Sequence, residues 1–275
     1  MGDKARGNLI IIGGAEDKKK DCIILRKVAE LAGGADAHLV VLTTATQMPD
    51  EIGKQYKDVF SRLGVRKITL LNIDCRTDAN KQENAQYIEE ATAIFFTGGD
   101  QLRITSILGG TLVNQALHDA YQKGTVIVGT SAGASVMSST MIVEGNSNDP
   151  ARKCTLKMAP GLGLLEEAII DQHFDQRGRI GRLLCGVAEN PYMLGIGIDE
   201  DTAIMVFPED YFEVIGTNSV TVLDGRTITS SNVSESKPDE LLAISNVTMH
   251  VIPQGFAFDM KSRTMKKLNG DMSKD

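Results

Sequence analysis

The sequence predicts an α/β fold, a parallel sheet with helices on both faces that continues into an antiparallel carboxy-terminal extension. Two observations predict it. Through the first half of the 275 residues, strand-sized apolar runs alternate with helix-period stretches, the alternation that right-handed crossovers produce. Beyond about residue 150 the helical spacers give way to short strand-like runs.

Asn8–Ile12 opens the chain as a continuous apolar run, the pattern of a strand buried on both faces. Lys19–Ala32 carries apolar residues at helical spacing and forms the first crossover. His38–Thr44, Lys67–Leu71, Ala93–Thr97 and Thr125–Gly129 are the next strands, with helices over Ile52–Leu63, Gln82–Ala91 and Leu112–Lys123 between them. Asn146–Pro150 reads as an exposed loop. After it come Ala168–Asp171, Leu194–Ile198, Ala203–Phe207, Tyr211–Ile215, Val220–Leu223 and Thr248–Ile252, with one helix over Gly181–Ala188. These later strands are expected to extend the same sheet. No linker or repeat divides the chain, so residues 1–275 read as one domain, with residues 1–7 a disordered or tag-like start.

Composition narrows the function classes. The 42% apolar content suits a globular protein, and no apolar run is long enough to span a membrane. The first seven residues lack the apolar core of a signal peptide, so the expected location is the cytoplasm. A net charge of −7 without a basic run argues against a nucleic-acid partner. Cys22, Cys75, Cys154 and Cys185 show no metal-ligand spacing, so they are expected to be reduced thiols, with no metal and no cofactor.

Three predicted strands end in glycine or a small polar residue: Ile12-Gly13-Gly14, Phe96-Thr97-Gly98-Gly99 and Val128-Gly129-Thr130-Ser131. Ligands of such sheets gather at these strand ends. Neither double glycine belongs to a dinucleotide or phosphate-loop signature, and the acidic residues that follow would repel a phosphate. The third end is different. Gly129-Thr130-Ser131-Ala132-Gly133 is Gly-x-Ser-x-Gly between a strand and a helix, the context of a nucleophile elbow. There the serine Oγ is held out at the sheet edge, beside free N–H groups at the helix start.

A serine nucleophile needs a base, and the base needs an orienting acid. Of the histidines, His38 opens a strand, His118 lies on an amphipathic helix and His250 sits in the late strands; each reads as structural. His173 closes the strand Ala168–Asp171 among polar residues, where it can share the sheet edge with Ser131. For the acid, Asp199, Glu200 and Asp201 lie together between two strand-like runs, and the pattern does not select among them.

Five blocks taken together resemble the cyanophycinases. They are Ile-Ile-Gly-Gly-Ala-Glu-Asp (11–17), Phe-Thr-Gly-Gly-Asp-Gln (96–101), Gly-Thr-Ser-Ala-Gly-Ala (129–134), Asp-Gln-His-Phe (171–174) with Arg-Gly-Arg (177–179), and Gly-Ile-Asp-Glu-Asp-Thr-Ala (197–203). The resemblance runs over about residues 8–255 in the same order. It implies a flavodoxin-like fold similar to class I glutamine amidotransferases, and a serine exopeptidase that releases β-Asp-Arg dipeptides from cyanophycin, an aspartate polymer bearing arginine on its β-carboxyls. It further implies Ser131 as nucleophile, His173 as base, Glu200 as orienting acid, and the N–H groups of Gly99 and Ala132 as oxyanion hole. Substrate contacts are implied for Gln101, Asp171, Gln172, Arg177, Arg179 and Arg182, and a homodimer for the assembly. Residue chemistry agrees, because guanidinium forks suit the carboxylates of the polymer and side-chain oxygens suit its guanidinium.

Two other readings compete. An α-aspartyl dipeptidase of the same superfamily would share the elbow and base but lack the arginine cluster. A non-catalytic amidotransferase-like binding domain would have lost the nucleophile or the base, and both are present here.

Overall fold

The computed structural model describes residues 6–268. Its first half runs β1 (Leu9–Ile12), α1 (Ile23–Leu31), β2 (His38–Leu42), α2 (Pro49–Arg62), β3 (Lys67–Leu71), α3 (Arg76–Ala79), α4 (Gln82–Glu89), β4 (Ala93–Phe96), α5 (Gln101–Leu108), α6 (Leu112–Gln122), β5 (Val126–Thr130) and α7 (Ala132–Ser135). The five predicted strands and the four predicted helices between them keep their order, α7 is the helix after the elbow, and α3 and α5 are additions. The second half holds β6 (Thr140–Glu144), β7 (Lys157–Pro160), β8 (Ala168–Gln172), α8 (Ile180–Glu189), β9 (Leu194–Ile198), β10 (Thr202–Val206), β11 (Tyr211–Gly216), β12 (Ser219–Asp224), β13 (Ser230–Ser231), β14 (Ile244–Ser245), β15 (Thr248–Pro253), β16 (Phe256–Asp259) and β17 (Thr264–Lys267).

A nine-stranded mixed sheet runs β17-β16-β11-β10-β1-β5-β4-β2-β3. Strands β1 to β5 pair in parallel, and β10, β11, β16 and β17 continue from β1 in antiparallel pairing. The antiparallel extension is therefore present, but it does not take up all the late strands. β15-β12-β9-β8 form a second, four-stranded sheet, a difference from the expected single sheet. Period-2 patterning marks a strand without naming its partner, which is why the split was not legible.

Strand alternation divides the interior. Leu9 and Ile11 of β1 face one core with Val40, Leu42, Ile94 and Phe96, while Ile10 and Ile12 face another with Leu39, Val41 and Phe95. The second core is closed by α1 and α2, where Tyr56 and Phe60 pack on Phe95. α4, α5 and α6 close the first, together with the inward residues of the second sheet, Ile170, Ile196 and Val222. α8 covers the other face of that sheet through Leu183 and Val187 against Ile169 and Leu223. Cutting such a buried Leu or Ile back to Ala costs about 2–5 kcal/mol.

Helix ends follow their sequence signals. Pro49 starts α2 with Asp50 and Glu51 in the first turn and Arg62 in the last, which suits the helix dipole. Asp100 caps α5, accepting from the N–H groups of Leu102 and Arg103. No described helix is long and apolar enough to cross a membrane. Of the start read as disordered or tag-like, residues 1–5 lie outside the described residues. Arg6 and Gly7 are placed in the fold instead, with the Gly7 N–H donating to the Tyr121 carbonyl at 2.7 Å.

Candidate active site

Ser131 stands at the end of β5, between β1 and β4, with φ 54° and ψ −112°. A non-glycine residue held there costs about 1–3 kcal/mol and persists only where its surroundings leave no alternative. Those surroundings are close. A Cβ on Gly129 would lie 2.2 Å from the Gly133 carbonyl oxygen, so only glycine lets the strand turn directly into α7. The Ser131 N–H donates to the Ile12 carbonyl at 3.1 Å, which ties the turn to β1.

His173 follows β8 of the second sheet, and its N–H donates to the Gly13 carbonyl at 2.8 Å. The ring lies against Gly14. A Cβ there would come within 2.3 Å of Cε1, and the φ of +104° at Gly14 also favours glycine. The two glycine-ended strands thus flank the serine for different reasons, β1 to admit the imidazole and β4 to bring its backbone near. A Cβ on Gly98 would touch Ser131 Cβ at 3.4 Å.

The imidazole bridges two groups. Ser131 Oγ is 3.0 Å from Nε2, and Glu200 Oε1 is 2.6 Å from Nδ1. With a carboxylate at Nδ1 the proton belongs on that nitrogen, and Nε2 is left to accept from the serine hydroxyl. Burial pushes the His173 pKa below its ordinary value; Glu200 pulls it up, and Arg177 pushes it down further. The neutral ring this favours at pH 7 is the form able to take a proton.

Glu200 lies on the connection from β9 to β10, where the chain passes from the second sheet to the first. Its neighbours hold that connection. Asp199 accepts from the Asp175 N–H and from both the N–H and hydroxyl of Ser219. Asp201 accepts from the Asp17 N–H at 2.8 Å and the Thr217 hydroxyl at 3.0 Å. Only Glu200 of the three contacts His173. Gln176 accepts the Glu200 N–H at 2.9 Å, and no sequence signal marks it out. Ala132 is the first residue of α7, so its N–H has no acceptor within the helix. Gly99 is exposed in the loop after β4, where a Cβ on it would meet the Ala45 carbonyl oxygen at 2.1 Å. Among the described residues, the N–H of neither donates to a backbone carbonyl outside regular elements.

The remaining predicted residues divide by burial. Arg177 is exposed on the 3₁₀ turn Asp175–Arg177. Arg179 and Arg182 are buried, and both reach Asp171, whose side chain is wholly buried. The expectation put Asp171 on a substrate guanidinium and these arginines on substrate carboxylates. In the structure both Asp171 oxygens are taken by the protein's own guanidinium groups. Burial lowers the Arg179 pKa to about 10 against the pull of Asp171, which leaves it charged at neutral pH. Gln172 Oε1 and Arg179 Nε are buried without a hydrogen-bond partner among the described residues. Gln101 donates its amide to the carbonyls of Ile142 and Val143 at 3.1 and 3.0 Å.

The other histidines lie elsewhere. His38 is buried and satisfied at both ring nitrogens by the Glu90 carbonyl and the Thr69 hydroxyl. His118 is on α6, and His250 packs edge-on against Phe258.

Peptidase family S51 matches this chain over residues 9–214. A cyanophycinase from Geminocystis herdmanii is 37% identical over 258 residues, covering 94% of this chain and 95% of that protein. One from Thermosynechococcus vestitus is 36% identical over 262 residues, covering 95% of this chain and 81% of the relative. Among solved structures, a peptidase from an acI-B1 Actinobacterium superposes with a TM-score of 0.62 at 21% identity, covering 90% of this chain and 98% of that one. A putative peptidase E protein from Listeria monocytogenes gives a TM-score of 0.52 at 16% identity, covering 78% and 98%. At these identities the two structures bear on the fold alone.

Proposed function

The chain belongs to peptidase family S51, and from that premise we propose how its residues carry out serine exopeptidase cleavage of cyanophycin. The observation that supports the assignment best is the chain of contacts from Ser131 Oγ through His173 to Glu200, at 3.0 and 2.6 Å. Ser131 Oγ attacks the carbonyl carbon of the scissile bond while its proton passes to His173 Nε2. Glu200 stabilises the imidazolium from Nδ1, and the N–H groups of Gly99 and Ala132 donate to the oxyanion. Collapse breaks the C–N bond as the imidazolium returns the proton to the leaving amine. Water, deprotonated by the same histidine, then releases the acyl group from Ser131 and completes the turnover.

For the substrate, the exposed Arg177 is assigned to a carboxylate at the mouth of the site. Arg179 Nε and Gln172 Oε1 supply one buried donor and one buried acceptor that a bound repeat would satisfy. Asp171 and Arg182 act through them, fixing the floor of the site. Gln101, its amide already held by β6, is left its side-chain oxygen for a substrate guanidinium. The flavodoxin-like, amidotransferase-like topology, the single domain over 1–275, the homodimer and the cytoplasmic location belong to the same proposal.

The test is hydrolysis of purified cyanophycin beside α-Asp-x dipeptides, with the products identified by mass. Release of β-Asp-Arg from the polymer with little cleavage of the dipeptides is expected. The reverse preference would make the chain an aspartyl dipeptidase.

A further inference from the structure

One buried carboxylate lies behind the nucleophile and touches none of the reacting atoms. Glu16 follows the Gly13-Gly14 turn after β1, and its side chain is 1% exposed. Its Oε2 accepts from the Thr130 hydroxyl at 2.7 Å. Thr130 is the last residue of β5 and directly precedes Ser131. On the other side, Oε1 accepts from the Tyr56 hydroxyl of α2 at 2.5 Å and pairs with Lys18 Nζ at 2.8 Å. A carboxylate this far from water is tolerable only with its donors in place, so the group is locked in position.

The same short segment holds the other members of the array. The Gly13 carbonyl accepts the His173 N–H, and the Gly14 carbonyl accepts the Asp201 N–H at 2.9 Å. The Asp17 N–H donates to Asp201 Oδ1, next to Glu200. Residues 13–17 therefore contact the histidine and the acid loop through the backbone. Their side-chain contact with the serine strand is the bond from Glu16 to Thr130. Ser131 itself sits at a φ of 54°, a conformation that relaxes unless its neighbours hold it.

We propose that Glu16 is a positioning residue for the reaction: through the Thr130 hydroxyl it holds the strained turn that aims Ser131 Oγ at His173. The inference rests on Ser131 being the nucleophile. Freeing Thr130 lets the turn relax, and a displacement of about 1 Å at a reacting atom costs on the order of a hundredfold in rate.

The experiment compares Thr130→Val, which keeps the shape and removes the hydroxyl, with Thr130→Ser, which keeps the hydroxyl. Both are assayed on cyanophycin below their melting temperatures, with Ser131→Ala alongside. Thr130→Val is expected to lose about ten- to a hundredfold in kcat with KM little changed, and Thr130→Ser to recover most of it. The acid limb of the pH profile stays where it was, since Glu16 does not touch His173. Should Thr130→Val fail to fold, Thr130→Ala, which also removes the hydroxyl, carries the same expectation. Parent kcat in the folded variant, or equal losses in the Val and Ser forms, overturns the inference whenever Ser131→Ala is inactive. Turnover by Ser131→Ala would instead overturn the reading on which the inference rests.

Discussion

Asp171 and Arg182 form a closed fork, Nε donating to Oδ2 at 2.7 Å and Nη2 to Oδ1, with the arginine side chain 9% exposed and the aspartate fully buried. Arg179 adds a third donor to the same carboxylate at 3.4 Å. One buried anion thus holds two buried cations directly beneath the loop that carries His173. Asp171→Asn leaves those cations without their counter-charge. Breaking a buried pair by removing one partner costs about 3–5 kcal/mol, so a large fall in the denaturant midpoint is expected. An unchanged midpoint would mean that the arginines find other partners.

Arg177 separates binding from stability. It is exposed, so Arg177→Ala is expected to leave the unfolding free energy within about 0.5 kcal/mol of the parent. Losing a charge-assisted contact with substrate should raise KM about tenfold at similar kcat, and Arg177→Lys should restore it only in part. Steady-state kinetics on cyanophycin check both, and a KM equal to the parent's would remove Arg177 from the substrate site.

Gly14→Ala places a methyl group 2.3 Å from His173 Cε1 and 2.5 Å from Nε2. The ring must move, and its contact with Ser131 moves with it. A fall in kcat of about a hundredfold or more is expected, with the far-ultraviolet circular dichroism unchanged. Parent activity would show that the loop can shift without disturbing the imidazole.

The pH profile follows from the same ring. Burial already lowers the His173 pKa, and Glu200 opposes the shift. The proposed base works only as the neutral imidazole, so kcat/KM should fall with acid along a limb below the ordinary histidine value of about 6.5. Glu200→Gln removes the opposing pull. Its maximal rate should drop and its acid limb should move to still lower pH. A limb moving upward would contradict the contact between Glu200 and His173.

What the sequence disclosed depended on how local each signal was. β1 to β5 were legible because runs such as Leu9–Ile12 are apolar throughout, as strands covered on both faces must be. α5 was not, although Asp100 is a good cap, because Gly98-Gly99 before it and Gly109-Gly110 after it make the segment read as loop. The β6–β7 pairing spans a long excursion, and β16 and β17 lie beyond the stretch that carried the resemblance. Ser131 was readable from its elbow and His173 from its place at a strand end. Glu200 could not be separated by pattern from Asp199 and Asp201, since only the fold decides which carboxylate turns toward the imidazole. The burial of Arg179 and Arg182 was hidden for a similar reason: their partner, Asp171, lies across a turn, at a spacing no helix or strand period marks.

The proposed mechanism turns on one role, that of Ser131 as a nucleophile made reactive by His173. It is tested most directly by treating the protein with a fluorophosphonate and locating the adduct by peptide mass spectrometry. A single adduct on Ser131 is expected and none in Ser131→Ala, with labelling of His173→Ala slowed by orders of magnitude and hydrolysis of cyanophycin lost in both variants. An adduct on another residue, or a Ser131→Ala protein that still cleaves the polymer at the parent rate, would contradict it.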